Sequence, residues 1–498
     1  MDTLLAALAI VTRWDVIAAL LAGSVGGVLI GAIPGVGPPV AIAILLPATF
    51  GWDPIVGLTL LLGIYGSSLY GGAIPSILIN TPGTAVNALT TYDGYPMTKA
   101  GQGPRALGLA FGASFWGGMF SVGCLILLAP VLARVAPMFG SREIFLAALL
   151  GCVMVVVAHR GQALAAGALL FFGLFLNTVG MEPNTYSMRF SFGQGWLTQG
   201  IDLIVVVSGL FAVSQGLILL AGRDRVGPVP TLNGSIAAGV REVFAHKRVA
   251  TAGAASGTVM GIIPGVGEFV SQFLSYSYAR ASSRRPDLFG KGSPEGLVAS
   301  ESANNSVPPA AMVPLLALGI PGEELTAMML SVFYVHNVIP GPGLFRDHMD
   351  FIAALYICLA LLNVLALAVL LIGTRPLLKV LAIPERFLGL LILILSFVGV
   401  YTLRNSAVDC LTAGAFALLG VVLKRLNLPT VPIILGMVLG GIIEAKFRTS
   451  LPRIRSVWDW IDRPVAQVVF AMICVVLLMH VWALWRDWKG KKNGSIQH

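Results

Sequence analysis

The chain has 498 residues, 56% of them hydrophobic and only 11% charged, with a mean hydropathy of +0.86, whereas soluble globular proteins carry about 25% charged residues. That balance excludes a soluble globular protein and describes an all-α polytopic membrane protein. The net charge of +9 does not point to nucleic acid, because the Lys and Arg residues lie in short loops between apolar stretches, where the positive-inside rule explains them.

The N-terminal "MDTLLAALAIVTRWD" starts with an acid and has neither a basic n-region nor a small-residue cleavage site, so no removable signal peptide is expected. Stretches with few or no charges follow at 16–52, 54–92, 106–133, 161–181 and 203–222, and then at 249–267, 302–322, 351–374, 387–403, 426–443 and 465–485. Many exceed the roughly 20 residues that cross a bilayer, and the longest must fold back. About twelve transmembrane helices plus re-entrant or broken helices are therefore expected. Single cysteines at 124, 152, 358, 410 and 474 show no metal or disulfide spacing and read as packing residues. His336 and His480 lack ligand-spaced neighbours and read as structural.

Gly and Pro interrupt the apolar text at particular places. "GAIPGVG", 31–37, breaks the first long stretch at Pro34, Gly35 and Gly37. "YGSSLYGG", 65–72, brings Ser67 and Ser68, and "ILINTPGTAVNAL", 77–89, brings Asn80, Thr81, Pro82, Gly83, Thr84 and Asn87. A Pro-Gly break in lipid exposes backbone groups that protein, water or a ligand must satisfy. After the polar stretch 222–248, "GIIPGVG" returns at 261–267 with Pro264, Gly265 and Gly267, followed by Glu268. "ASESANNS", 299–306, then crowds Ser300, Glu301, Ser302, Asn304, Asn305 and Ser306 together, and "MVPLLALGIPGE", 312–323, brings Gly319, Pro321, Gly322 and Glu323.

These segments pair. The first motif repeats at an offset of 230, while "AIPSILINTPGT" aligns with "MVPLLALGIPGE" at 239, matching Pro75 with Pro314 and Pro82-Gly83 with Pro321-Gly322. At that second offset Ser67 falls opposite Ser306. The polar insert at 280–296 accounts for the difference, and "SREIFLAALL" at 141 resembles "PERFLGLLIL" at 384. The chain thus reads as a duplicated membrane domain: 1–221 a first repeat, 222–248 a polar, cytoplasmic linker, 249–464 a second repeat, and 465–498 a terminal helix with a basic tail. Opposite charge bias at matching loops favours inverted repeats; the basic ends of both halves, "GRDR" and "WRDWKGKK", speak for the same orientation.

Interrupted helices at matching positions point to a substrate site between repeats near the bilayer midplane. Exposed helix ends carry about half a charge of either sign and can hold anions or small cations. The hydroxyls and amides around the tips are the substrate-binding candidates. Glu268, Ser300, Glu301, Ser302 and Glu323 are the cation-coupling candidates, since a membrane carboxylate is functional by default and Asn and Ser oxygens with a carboxylate suit Na⁺. Each position also has a plainer reading: Gly and Pro as close-packing residues, and Glu323 and Glu324 as caps of a helix start. The chain lacks a P-loop, H-E-x-x-H and a complete G-x-G-x-x-G, which leaves an ion gradient as the energy source. A channel and an intramembrane enzyme are the rival classes; the latter needs a catalytic dyad that spacing does not supply.

The long segments "IPGVGPPVAIAILLPATF", "YGGAIPSILINTPGTA" and "ASESANNSVPPAAMVPLLALGIPG" resemble the large membrane subunit of tripartite tricarboxylate transporters, the TctA family, from about Gly31 to beyond Glu444. The resemblance implies a multi-pass protein of the bacterial inner membrane and no enzyme. It implies a small membrane subunit like TctB, a periplasmic solute-binding protein like TctC, and import of citrate-like organic acids driven by Na⁺ or protons. Apart from a coupling Na⁺, no cofactor or metal is implied. An elevator movement of both tips against a scaffold is the mechanistic expectation, and an ion-coupled carboxylate carrier without partners is the alternative. The matched motifs contain no Lys or Arg, so a polyanion there would rest on helix N-termini, amides and hydroxyls.

Overall fold

The computed structural model describes residues 2–494 except 160, 183–185, 223–231, 233, 264–266 and 337. In chain order the first helices are α1 (Asp2–Val11), α2 (Trp14–Ala32), α3 (Gly37–Leu45), α4 (Pro54–Ile79), α5 (Ala88–Lys99), α6 (Gly103–Val135), α7 (Ser141–Ala158) and α8 (Ala163–Asn177). A small hairpin, β1 (Gly180–Met181) and β2 (Met188–Arg189), follows, then α9 (Leu203–Val207), a π-wound turn over Ser208–Val213, α10 (Ser214–Ala221) and α11 (Ile236–Glu242). The rest comprises α12 (Lys247–Ile262), α13 (Gly267–Ser282), α14 (Pro294–Leu318), α15 (Glu324–Val335), α16 (Pro342–Asp347), α17 (Met349–Leu377), α18 (Glu385–Arg404), α19 (Ala407–Arg425), α20 (Val431–Ser450) and α21 (Pro464–Gly494). The protein is an all-α polytopic membrane protein.

Among the described residues, nine helices are long and apolar enough to cross a membrane, and Ala163–Asn177 and Leu325–Tyr334 are shorter apolar helices. The nine do not include α14, because its buried faces carry Ser300, Glu301, Asn304 and Asn305. Such a helix is stable in lipid only when surrounded by protein.

Two compact units are present, residues 1–134 with 202–426, and residues 135–201 with 427–498. The first unit holds every candidate site residue. Its inner helices start alike: Asp53 accepts the Ile55 amide ahead of Pro54 in α4, and Ser293 accepts the Gly296 amide ahead of Pro294 in α14. A capping acceptor followed by Pro at the first helical position is a strong helix start. Small residues then let neighbouring backbones approach. Gly23, Gly27 and Gly31 of α2 lie along α4, and Gly253, Gly257 and Gly261 of α12 lie along α14. A Cβ on Gly31 would sit 2.0 Å from the Ser68 carbonyl oxygen, and one on Gly257 would sit 2.2 Å from that of Ala303, so both seams require glycine.

Part of the polar stretch 222–248 is ordered helix. Its α11 crosses α6 at Gly108 and Gly239, and the Arg105 guanidinium binds Glu242 through two nitrogens at 2.8 and 2.5 Å.

In the second unit, α8 meets α20 at Gly173 and Gly436. Arg142 and Glu143, neighbours that suggest an ion pair with one another, turn elsewhere. Arg142 binds Asp462 at 2.7 Å, while Glu143 accepts the Gly140 amide at 2.9 Å and faces Arg463 at 3.9 Å. Fixed at the start of α7, the carboxylate is better used as a cap than as a partner for its neighbour. Arg189 forks onto Glu444 at 2.8 and 3.3 Å.

Candidate functional site

The matched motifs adopt matched backbone. After α2 the cap residue Ile33 has φ −89° and ψ 111°, and after α12 Ile263 has φ −88° and ψ 113°. Gly37 opens α3 at φ 45° and Gly267 opens α13 at φ 63°, in the left-handed region that glycine tolerates. Pro34 and Gly35 complete the first break; Pro264 and Gly265 lie outside the described residues.

The second pair of breaks is as close. Asn80 ends α4 at φ 56° and Gly319 ends α14 at φ 70°. The Thr81 amide reaches back to the Pro75 oxygen at 3.3 Å, and the Ile320 amide to the Pro314 oxygen at 3.3 Å. Both prolines accept these bonds through their carbonyls, and the left-handed residue that follows turns the chain out of the helix. Pro82-Gly83 then tucks against Gly31 and Gly72, and Pro321-Gly322 lies beside Gly261 and Ala311. Asn80 is exposed and Thr81 half-exposed at the first tip, whereas Gly319 and Pro321 are buried at the second.

Each tip leads to a glutamate. Asn87 caps the start of α5 and Thr90 lies in its first turn. Glu301 of α14 sits against both: it accepts from Thr90 Oγ1, from Asn87 Nδ2 at 3.4 Å, and at its other oxygen from Ser114 Oγ of α6 at 3.0 Å. Thr84 Oγ1 donates to Asn87 Oδ1 at 2.5 Å and Asn87 Nδ2 also reaches Leu69 O at 3.2 Å, which orients the amide. At the second tip Glu323 occupies the cap position of α15, with Thr326 Oγ1 bonded to its amide and carbonyl at 3.0 and 2.9 Å. Its side chain meets the Tyr65 hydroxyl of α4, which also contacts Glu268 of α13 at 2.9 Å.

The helix starts behind the breaks therefore already face carboxylates of the chain: Glu301 at α5, Glu323 at α15, and Glu268 within the first turn of α13. Helix macrodipoles favour an anion at these ends. The start of α3 has Pro38 and Pro39, which remove two amide donors. A cation does approach the first break: Lys424 Nζ binds Gln215 Oε1 at 2.9 Å, and Gln215 lies against Gly35.

Several predicted side chains are tied to their own helix. Ser300 donates to Gly296 O and Leu297 O, Ser302 to Ala299 O at 3.4 Å, Ser306 to Ser302 O, and Ser68 to Tyr65 O at 2.8 Å. Others are buried without a hydrogen-bond partner among the described residues: both polar atoms of Asn304, Oδ1 of Asn305 and Oγ of Ser67. Sequence reasoning missed Tyr65, Thr90, Ser114 and Asn363. Tyr65 was within reach, because the offset that pairs Ser67 with Ser306 pairs Tyr65 with Asn304. Ser114 on α6 and Asn363 on α17 stand in no repeated motif.

Comparison with known proteins decides the family. The sequence model of the tripartite tricarboxylate transporter TctA family matches residues 17–435. The chain belongs to that family. A protein of Agrobacterium vitis described as an uncharacterized 52.8 kDa protein in the TAR-I ttuC' 3' region is 34% identical over 465 residues, 91% of each chain. A second, described as an uncharacterized protein in the TAR-II ttuC' 3' region of the same organism, is 32% identical over 230 residues, 45% of this chain and 93% of that protein. No solved structure matches. TctA-family proteins are the large subunit of tripartite tricarboxylate transporters, so this is a multi-pass membrane protein and a transporter component.

Proposed function

We propose that the protein is the permease subunit of a secondary transporter of the bacterial inner membrane that imports citrate-like organic acids. It works with a small membrane subunit and a periplasmic solute-binding protein, and a Na⁺ or proton gradient drives it. The observation that carries this reading is the Tyr65 hub. The Tyr65 hydroxyl of α4 lies between two buried carboxylates of the second half, Glu268 and Glu323, and paired carboxylates within a membrane are a place where a proton or cation can be taken up. Tip two is joined to α4 through this carboxylate pair, so a charge taken up there would act on the tip directly, which is the property a coupled carrier needs.

Glu301 serves the other tip as a fixed counter-anion for α5. Substrate carboxylates then meet the exposed side of the tips, Asn80 and Thr81, rather than helix ends already opposed by glutamates. Matched breaks, seams and caps support a duplicated domain, and we take the two halves as inverted repeats whose tips move together in an elevator step.

The test is uptake of labelled citrate and related acids into proteoliposomes under imposed Na⁺ or pH gradients, with and without the partner subunits. Accumulation that requires the partners and one gradient is expected. Flux that neither saturates nor accumulates would mark a channel and end the proposal.

A further inference from the structure

Besides the two carboxylate centres, α14 carries a feature that neither uses. Pro308 and Pro309 have no amide hydrogen, so the carbonyls of Asn304 and Asn305 lose the donors that a regular helix provides. Helix carbonyls point toward the C-terminus, and here that direction leads to the same two prolines. They line a small, partly open cleft together with Ser67, Tyr70, Asn305 and Asn363.

The walls of this cleft offer unpartnered oxygens. Ser67 Oγ and Asn305 Oδ1, on residues 2% and 3% exposed, have no partner among the described residues. The Asn305 amide is held one way round: Nδ2 donates to Ser114 Oγ at 2.8 Å, and Ser114 spends its only hydrogen on Glu301 at 3.0 Å. Reversing it would set an oxygen against an oxygen. Across the cleft, Tyr70 donates its hydroxyl hydrogen to Asn363 Oδ1 at 2.9 Å, and Asn363 Nδ2 donates to Leu359 O at 2.9 Å. Two buried oxygens with free lone pairs suit a cation. Uncharged oxygens suit a hard monovalent cation rather than a divalent one, which recruits carboxylates.

We propose that this cleft seats a sodium ion, bound by Ser67 Oγ, Asn305 Oδ1 and the main-chain carbonyls of Asn304 and Asn305. The inference rests on the transporter reading above and names its co-ion. Each negative charge moved inward opposes the membrane potential, so a polycarboxylate needs several co-ions. The sodium ion enters in addition to the proton or cation at Tyr65. Asn305, Ser114 and Glu301 connect the seat to the first tip, so occupancy of the cleft fixes the residues that hold α5.

The experiment is equilibrium binding of ²²Na⁺ to the purified full-length protein in lipid nanodiscs, with choline as the inert ion. Saturable binding is expected, at least tenfold weaker in Ser67→Ala, restored by Ser67→Thr, and unchanged in Ser24→Ala, which removes a buried, unpartnered hydroxyl outside the cleft. No saturable binding to folded wild-type protein, or equal affinity in Ser67→Ala, overturns the site. Parallel uptake assays separate the two claims. Proton-driven uptake without sodium binding removes the seat and keeps the transporter, whereas sodium binding sensitive to Ser67→Ala without carboxylate uptake keeps the seat and removes the transporter.

Discussion

The two tips end on carboxylates that differ in one respect. Glu301 is supplied with side-chain donors from Thr90, Asn87 and Ser114 on two other segments, while Glu323 and Glu268 share the single hydrogen of Tyr65. A carboxylate surrounded by donors fixes the elements that carry them. Two carboxylates meeting at one hydroxyl place two like charges side by side, so the charge state of the pair affects how firmly its elements hold together. Two tips of the same backbone design thus divide into an anchor and a conditional latch.

The largest effect is expected at the anchor. Glu301→Ala leaves Thr90 and Ser114 without their acceptor in a fully buried position and Asn87 with Leu69 O alone, at a cost of about 3 kcal/mol. Thermal unfolding in nanodiscs should fall markedly, and uptake should disappear with the folded fraction. Glu301→Gln, which has acceptor and donor atoms of the same shape, should recover part of the stability.

The latch should behave differently. Glu268→Gln and Glu323→Gln keep the shape of the side chain and remove one negative charge from the hub, so the pair no longer needs a proton or cation to relieve its like charges. Gradient-driven accumulation should drop at least tenfold while the melting temperature stays within a few degrees. Tyr65→Phe removes the shared hydroxyl but keeps the ring; a several-fold loss of uptake with a changed pH profile is expected, read from initial rates across a pH series. An unchanged profile would merge the two centres into one structural network and erase the comparison.

The smallest effect concerns the outer crossing of α11 and α6. Arg105 holds the Glu242 carboxyl below its ordinary value. Its contribution to stability is therefore present above the ordinary carboxylate range and is lost as pH falls through the lowered value. Glu242→Gln should lower stability by less than about 1 kcal/mol at neutral pH, because the pair is largely exposed and screened. The difference from wild type should fade in acid and at high salt, and neither tip should be affected.

What could be read from the sequence follows from which residues lack substitutes. A backbone at φ 45° or 63° calls for Gly37 and Gly267, and a helix stop six residues after a proline repeats at Pro75 and Pro314. Such demands leave marks at fixed offsets. Polar partners leave weaker ones. Ser114 and Ser121 of α6 look alike in the sequence, and only the packed helices bring Ser114 to Glu301. Glu323 read equally well as a cap or as a ligand contact, and it occupies the cap position while its side chain crosses to Tyr65. That glutamates of the chain itself lie at the starts of α13 and α15 and beside α5 became visible only once the helices were packed.

The most direct test of the division is to compare gradient-driven accumulation with substrate exchange at zero gradient, in proteoliposomes containing the complete complex with Glu323→Gln. The account predicts exchange near the wild-type rate and accumulation reduced to the equilibrium level. Wild-type accumulation in Glu323→Gln, or loss of both activities in a protein of unchanged thermal stability, would contradict it.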